Sequence, residues 1–401
     1  MAVIVQKYGG TSVGSPERIG AVADRVAATV RKGDRVAVVV SAMGHSTDEL
    51  VTLANKVARV PNRREMDALL ATGEQVSIAL VAMALQERGV QAQSMTGWQA
   101  GIYTEPVHGA ARIEAIDTTR LLALLEADIV PVIAGFQGIH EGEITTLGRG
   151  GSDTTAVAVA AALQAQQCEI YTDVEGVYTA DPRIVPKARK LSMISYEEML
   201  ELATLGSQVL HPRAVETAKQ HGVQLVVRSS FTQTEGTVIR DMETMEGMRI
   251  VTGVATEKEV ARIAVLGIPT MKQHLSEMFT ALAKEQVNVD VIVQSVVKTG
   301  EVDVSFTVSE ADVERAIQIC EQLQPLLGYR EVLQELGLSK VSIVGAGMIT
   351  NPGVAAQMFA ALEAAQADVK MVSTSEIKVS CIIPKSHLHA AVNQVHQAFE
   401  L

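Results

Sequence analysis

Five short apolar runs recur through the first 240 residues: VIVQKY (3–8), RVAVVVSA (35–42), IVPVIAGF (129–136), EIYTDV (169–174) and VQLVVRS (223–229). They are continuous rather than alternating, which predicts strands buried on both faces. Between the first two, ERIGAVADRVAATVR sets Ile19, Val22, Val26 and Val30 on one helical face, predicting an amphipathic helix. Strand, helix and strand in repetition predict the α/β class, with an open, mostly parallel sheet flanked by helices. Ligands of such sheets bind at the carboxyl ends of the strands.

Past a polar, Met-rich stretch near 241–248 the pattern changes and a repeat emerges. MFTALAKEQVNVDVIVQS (278–295) returns 80 positions later as MFAALEAAQADVKMVSTS (358–375). Each copy reads as a helix followed by a strand. Strands are also predicted upstream, at ARIAVLG (261–267) and KVSIVGAG (340–347), and downstream, at VDVSFTV (302–308) and KVSCIIP (378–384), with helices over 310–323 and 386–398. The order is the ferredoxin-like βαββαβ unit, twice. The predicted division is a catalytic domain over 1–240 and two regulatory modules over 249–337 and 338–401.

Composition narrows the partners. The chain has 401 residues, 47% apolar and 20% charged, with a formal charge of −12; this is a folded, multidomain protein without a basic excess for a nucleic-acid backbone. Aromatics are 3%, too few for a base-stacking platform. Cys168, Cys320 and Cys381 are far apart and lack Cys-x-x-Cys spacing, so neither a disulfide framework nor a zinc site is expected. The start, MAVIVQKYGG, lacks a basic segment followed by a long apolar stretch, and no apolar run is read as reaching the ~20 residues of a membrane span. A reduced, cytoplasmic protein is expected, with no membrane partner.

Candidate chemistry lies just after the predicted strands. In KYGGTSVGSPER (7–18), Lys7 ends a strand, and Gly9-Gly10 allow close backbone approach before a helix start, a natural seat for phosphate or a plain structural turn. The missing Gly-Lys-Ser/Thr excludes a Walker loop. In TTLGRGGSDTTAVAVAAAL (145–163), Arg149 sits between Gly148 and Gly150 ahead of a long helix, where a guanidinium suits a carboxylate. Ser152 and Asp153 there read either as helix caps or as ligands. EIYTDVEGVYTADPRIVPKA (169–188) has the length to fold over a nucleotide, offering Asp173, Tyr178 for stacking and Arg183 for phosphate, or to be a surface loop. VSAMGHSTDEL (40–50) and ATGEQVS (71–77) add Ser41, Thr47 and Glu74, groups able to orient an amino acid. The GAGM stretch at 345–348 lacks the third glycine and the distant acid of a dinucleotide turn. His387 and His389 form no ligand pair on one helical face.

In this order, KYGGTSVG, VVSAMG, TGEQVS, GRGGSDTTA, YTDVEGVYTADPR and VLHPRAVE resemble the aspartate kinases of the amino-acid kinase family, and the repeats resemble their ACT modules. The likeness spans essentially the whole chain. It implies transfer of the γ-phosphoryl group of ATP, with Mg2+, to the side-chain carboxylate of L-aspartate, the first step toward lysine, threonine and methionine. By the same resemblance Lys7, with the N–H groups of Gly9 and Gly10, meets the transferring phosphoryl group, and Asp153 organises the site. Arg149 holds the substrate α-carboxylate and Glu74 its ammonium, with Ser41, Thr47 and Ser152 completing the pocket. Thr172, Asp173, Tyr178 and Arg183 hold the nucleotide. An amino-acid effector such as lysine or threonine, a homodimer or higher oligomer formed through the ACT modules, and Gln294 and Asn351 as effector contacts are also implied.

Two positions depart from the family pattern. Gln208 stands where several members carry a nucleotide-contacting Lys. The Asn-Pro-Gly turn of ITNPGVAA (Asn351 to Gly353) has no counterpart in IPTMKQHL (268–275). The rival expectations are a kinase of another acyl acceptor such as glutamate, a kinase without feedback, and a non-catalytic amino-acid sensor; the presence of Lys7, Arg149 and Asp153 disfavours the sensor.

Overall fold

The computed structural model describes residues 2–207, 209–241, 249–270, 274–298 and 300–401. Gln208, the Met242, Met245 and Met248 cluster and part of the IPTMKQHL loop lie outside them. The chain divides into two compact units, Met1–Tyr178 with Lys190–Thr244, and Thr179–Arg189 with Met245–Leu401.

In the first unit all five apolar runs form strands of one eight-stranded sheet. Its order is Met193–Ser195, Thr237–Arg240, Leu225–Ser229, Gln167–Thr172, Val3–Tyr8, Arg35–Val40, Val130–Ala134, Ala92–Met95. Only the pair Thr237–Arg240 and Leu225–Ser229 runs antiparallel. The predicted helix is Pro16–Arg31, with Pro16 at its first turn and Ser15 as N-cap, accepting from the Arg18 N–H. It buries Ile19, Val22 and Val26 against Tyr8, Val36, Val38 and Val40, each such side chain contributing about 1.5–3 kcal/mol. Val30 is only half-buried at the rim. A second, four-stranded sheet, Ile113–Ile116, Ile102–Thr104, Gln137–His140, Glu143–Thr146, lies in the same unit.

The helix Arg63–Gln86 corrects the reading of apolar runs: by length and composition alone it is long and apolar enough to cross a membrane. Asp67, Glu74 and Ser77 are nevertheless buried on it, packed into the unit, as befits a core helix carrying site residues.

The second unit is one six-stranded antiparallel sheet in the order Ile292–Lys298, Glu301–Ser309, Gly253–Pro269, Glu331–Val344, Lys378–Pro384, Met371–Thr374. The first module follows the βαββαβ order. In the second, the closing strand comes from upstream of the first module: residues 253–257 pair with 344–340. The two modules are therefore interleaved along shared strands, and the expected boundary at 337 falls inside Glu331–Val344. Each module keeps its own core, around Phe306, Met278 and Leu282 in the first and around Ile343, Met358 and Val395 in the second.

The segment 179–189 also differs from the expected division. Ala180, Ile184 and Val185 are buried in the core of the second module. Thr179 Oγ1 lies 2.9 Å from His396 Nε2, and Asn393 Nδ2 donates to the Ile184 carbonyl at 3.2 Å.

Candidate active site

Parallel strands bring their carboxyl ends to one edge, and the candidate residues follow the neighbouring ends Thr172, Tyr8, Val40 and Ala134. Lys7 points from its strand to the first turn of helix Gly151–Ala162, where its Nζ lies 2.6 Å from Asp153 Oδ1. Both side chains are nearly enclosed, at 11% and 13% exposure. A buried ammonium–carboxylate pair at a helix N-terminus is costly to assemble for stability alone, and here the helix adds positive potential for an arriving anion.

The Gly9-Gly10 turn is as close to its neighbours as the sequence suggested. A Cβ on Gly10 would lie 2.8 Å from the Ala42 carbonyl oxygen, and the Gly44 N–H donates to the Gly10 carbonyl at 3.0 Å. One assignment is corrected: the Gly9 N–H donates to the Tyr171 carbonyl at 3.2 Å. It is bound to the sheet and is not offered to a phosphate, whereas Gly10 opens the short helical turn Gly10–Val13.

Glu74 reaches back from its helix to the end of the second strand, where Oε1 accepts from the Ala42 N–H at 3.1 Å. Its other oxygen, Oε2, is buried without a hydrogen-bond partner. Burial pushes the carboxyl up to about 7, against the pull of the Ala42 N–H. A buried oxygen with no donor is the feature expected of a group awaiting a ligand cation. Ser41, whose N–H donates to the Tyr8 carbonyl at 3.1 Å, precedes Ala42, and Thr47 stands in the first turn of Ser46–Val57. Ser152 is buried against Gly135, where a Cβ would lie 2.7 Å from its Oγ. Arg149 is exposed and forms no ion pair among the described residues, in a turn whose flanking glycines, Gly148 and Gly150, have φ of +74° and +69°.

The raised Glu74 pKa sets a pH dependence. Because the folded value lies above the ordinary 4.5, its contribution is fully present below 4.5 and is lost as pH rises through about 7, a cost of order 3 kcal/mol to the ligand-free protein. Glu74→Gln is expected to remove this dependence. Urea denaturation of both proteins at pH 5 and pH 8 measures it: wild type should lose stability between the two relative to the variant, and parallel behaviour would mean that Glu74 ionises normally.

On the nucleotide side, Thr172 and Asp173 leave the strand next to Lys7, and Thr172 Oγ1 donates to Asp173 Oδ1 at 3.0 Å. Tyr178 is half-exposed, with its hydroxyl 3.5 Å from Glu175. Arg183 lies in the segment built into the second unit, its side chain 82% exposed and paired with Asp181 at 2.8 Å. Of the effector candidates, Gln294 is exposed on the edge strand Ile292–Lys298. Asn351 donates from Nδ2 to the Gly347 carbonyl at 2.7 Å.

Sequence reasoning gave no role to Asp67, His211 or Arg213. The buried Asp67 carboxylate accepts from Thr146 Oγ1 at 2.5 Å and the Gly109 N–H at 3.1 Å, with His108 Nδ1 at 2.8 Å. His211, in the quoted VLHPRAVE, caps helix Pro212–His221 by accepting the Arg213 N–H on Nδ1. Burial and then Arg213 hold its imidazole below the ordinary range.

At one sheet edge lie a lysine–aspartate pair at a glycine turn and a helix N-terminus, an arginine without an ion pair among the described residues and a buried carboxylate oxygen without a partner, groups whose charges complement a phosphate and a small zwitterion. Residues 2–229 match the amino acid kinase family and residues 263–324 and 341–399 the ACT domain. The aspartokinase of a Bacillus species is 57% identical over 402 residues, covering 100% of this chain and 98% of its own. Aspartokinase 2 of Bacillus subtilis is 54% identical over 404 residues, with 100% and 98% covered. The crystal structure of E. coli aspartokinase III in complex with aspartate and ADP (R-state) superposes with a TM-score of 0.82 at 26% identity, over 99% of each chain. The chain thus belongs to the amino acid kinase family, in its ACT-bearing aspartokinase branch.

Proposed function

We propose that this kinase uses Mg-ATP to phosphorylate the side-chain carboxylate of L-aspartate through the residues assembled above, under feedback by an amino acid bound to the ACT modules. The observation that carries the reading is the Lys7–Asp153 pair at 2.6 Å, at the point where the glycine turn and the helix N-terminus meet. The acceptor carboxylate is ionised at neutral pH, its pKa being near ~3.9, so no general base is required. What the site must supply is charge neutralisation and alignment.

Lys7 neutralises charge on the transferring phosphoryl group, and Asp153 holds the ammonium in place. Arg149 takes the α-carboxylate and Glu74 the ammonium of aspartate, with Ser41, Thr47 and Ser152 around them. Thr172, Asp173 and Tyr178 carry the nucleotide. Arg183 is the remaining proposed phosphate contact, and binding would draw it from Asp181. Mg2+ would arrive on the ATP phosphates and meet at most one or two carboxylates of the protein. It would offset the charge between two anionic reactants.

Regulation through a homodimer belongs to the same proposal. Among the described residues the edge strand Ile292–Lys298 leaves one side unpaired, and it exposes Ile292, Val293 and Val296, the last at 75%, a form that soluble chains usually cover. Gln294 on that strand and Asn351 in the Asn-Pro-Gly turn of the other module are the proposed effector contacts. A soluble, cytoplasmic enzyme accords with the reduced thiols of Cys168, Cys320 and Cys381.

The test is ADP release with Mg-ATP and L-aspartate or L-glutamate, with the acyl phosphate trapped as a hydroxamate while lysine and threonine are titrated alone and together. Aspartate-dependent hydroxamate, suppressed by an effector, is expected, from a protein that sediments as a dimer. Preference for glutamate would reassign the acceptor. Turnover insensitive to both amino acids would remove the regulatory part.

A further inference from the structure

The VLHPRAVE motif gains a role from where Arg213 spends its guanidinium. Nη1 donates to the Leu147 carbonyl at 2.7 Å and Nη2 to the Ala111 carbonyl at 3.1 Å. A rigid fork bonded to two carbonyls fixes the separation and direction of both backbones. Here they are adjacent segments, since the Ala111 N–H donates to the Thr146 carbonyl at 2.9 Å. Leu147 is fully buried and immediately precedes Gly148.

The turn that follows is built on glycines. Gly148 and Gly150 both have positive φ, and the Arg149 side chain between them has no ion-pair partner among the described residues to set its direction. The Gly151 N–H closes it on the Gly148 carbonyl at 3.0 Å, and two side chains hold its ends. Arg213 fixes its entrance at Leu147, and the ring of His211 fills the space that a Gly150 Cβ would occupy, closing its exit. Both residues come from the start of the one helix Pro212–His221, which packs on Gly151–Ala162.

We propose that Arg213 is a positioning residue of the aspartate site, fixing the Gly148–Gly150 turn so that the Arg149 guanidinium meets the α-carboxylate. The inference rests on the assignment of Arg149 to that carboxylate. Arg213 itself touches no reacting group.

The full-length chain is compared as wild type, R213K, R149A and R149A/R213K, with KM for aspartate, KM for ATP and kcat measured for each. Lysine keeps the charge and reaches one carbonyl at most. R213K should raise the aspartate KM about tenfold, a shift typical of a misplaced binding group, while kcat and the ATP KM stay within about twofold. In the R149A background the same substitution should change the aspartate KM less than about twofold, because residues acting through one another are not additive. If R213K does not accumulate as folded protein, R213Q, which keeps one amide donor for Leu147, is measured in its place.

A wild-type aspartate KM in R213K overturns the inference. So does a loss spread over kcat and both KM values and repeated in full on R149A, which would mark Arg213 as structural only. An unchanged aspartate KM in R149A alone would instead remove the assignment on which the inference stands, and that variant reports it separately.

Discussion

Lys7→Ala is expected to lower kcat by about 10²–10³-fold, the usual cost of removing one preorganised group from a developing charge, while the aspartate KM changes little. The asymmetry follows from position. The Lys7 ammonium sits at the glycine turn and the helix N-terminus with Asp153 at 2.6 Å, where an arriving phosphate would lie, so its interaction should strengthen as charge moves in the transition state. Steady-state kinetics with both substrates varied checks this. A kcat above about one tenth of wild type would show that Lys7 is not the main neutralising group. Lys7→Arg is expected to be nearly as damaging, because the branched guanidinium cannot fit in the enclosed space that the ammonium shares with Asp153.

Arg149→Ala should raise the aspartate KM about 10²-fold with kcat reduced much less. Losing a bidentate, charge-assisted pair with a carboxylate commonly costs about 2–4 kcal/mol, where 1.4 kcal/mol is tenfold. Arg149→Lys should fall between wild type and alanine, since an ammonium provides a point charge without the fork. The same measurement with ATP varied should show an unchanged nucleotide KM. A rise in both KM values by equal factors would mean that the turn had collapsed rather than lost one contact.

Much of this candidate site is legible in the sequence, for a local reason. Lys7, Arg149, Ser152 and Asp153 lie within a few residues of glycine turns and helix starts, and short-range backbone sterics print those turns into the sequence. The strands were legible because burial on both faces demands uninterrupted runs such as RVAVVV at 35–40. Glu74 was visible as a carboxylate able to orient an amino acid. That one of its oxygens would be buried without a donor while the other takes the Ala42 N–H depends on folding, which brings the helix against the end of the second strand. Gly9 shows the converse: its glycine was evident, but its N–H is taken by Tyr171, 162 positions away in sequence.

The sequence by itself determined the α/β class, five strands of the large sheet and its first helix, the glycine turns and the repeated regulatory pattern, because each depends on periodicity and on conformational preferences spanning a few residues. Only the tertiary structure decided which distant groups share a neighbourhood. It closed the second module with residues 253–257, built 179–189 into that module's core, and set Arg213 on the carbonyls of Leu147 and Ala111. These are choices of register and long-range hydrogen bonding. They are settled by the free energy of burying whole surfaces together, a quantity that no single segment of the chain carries.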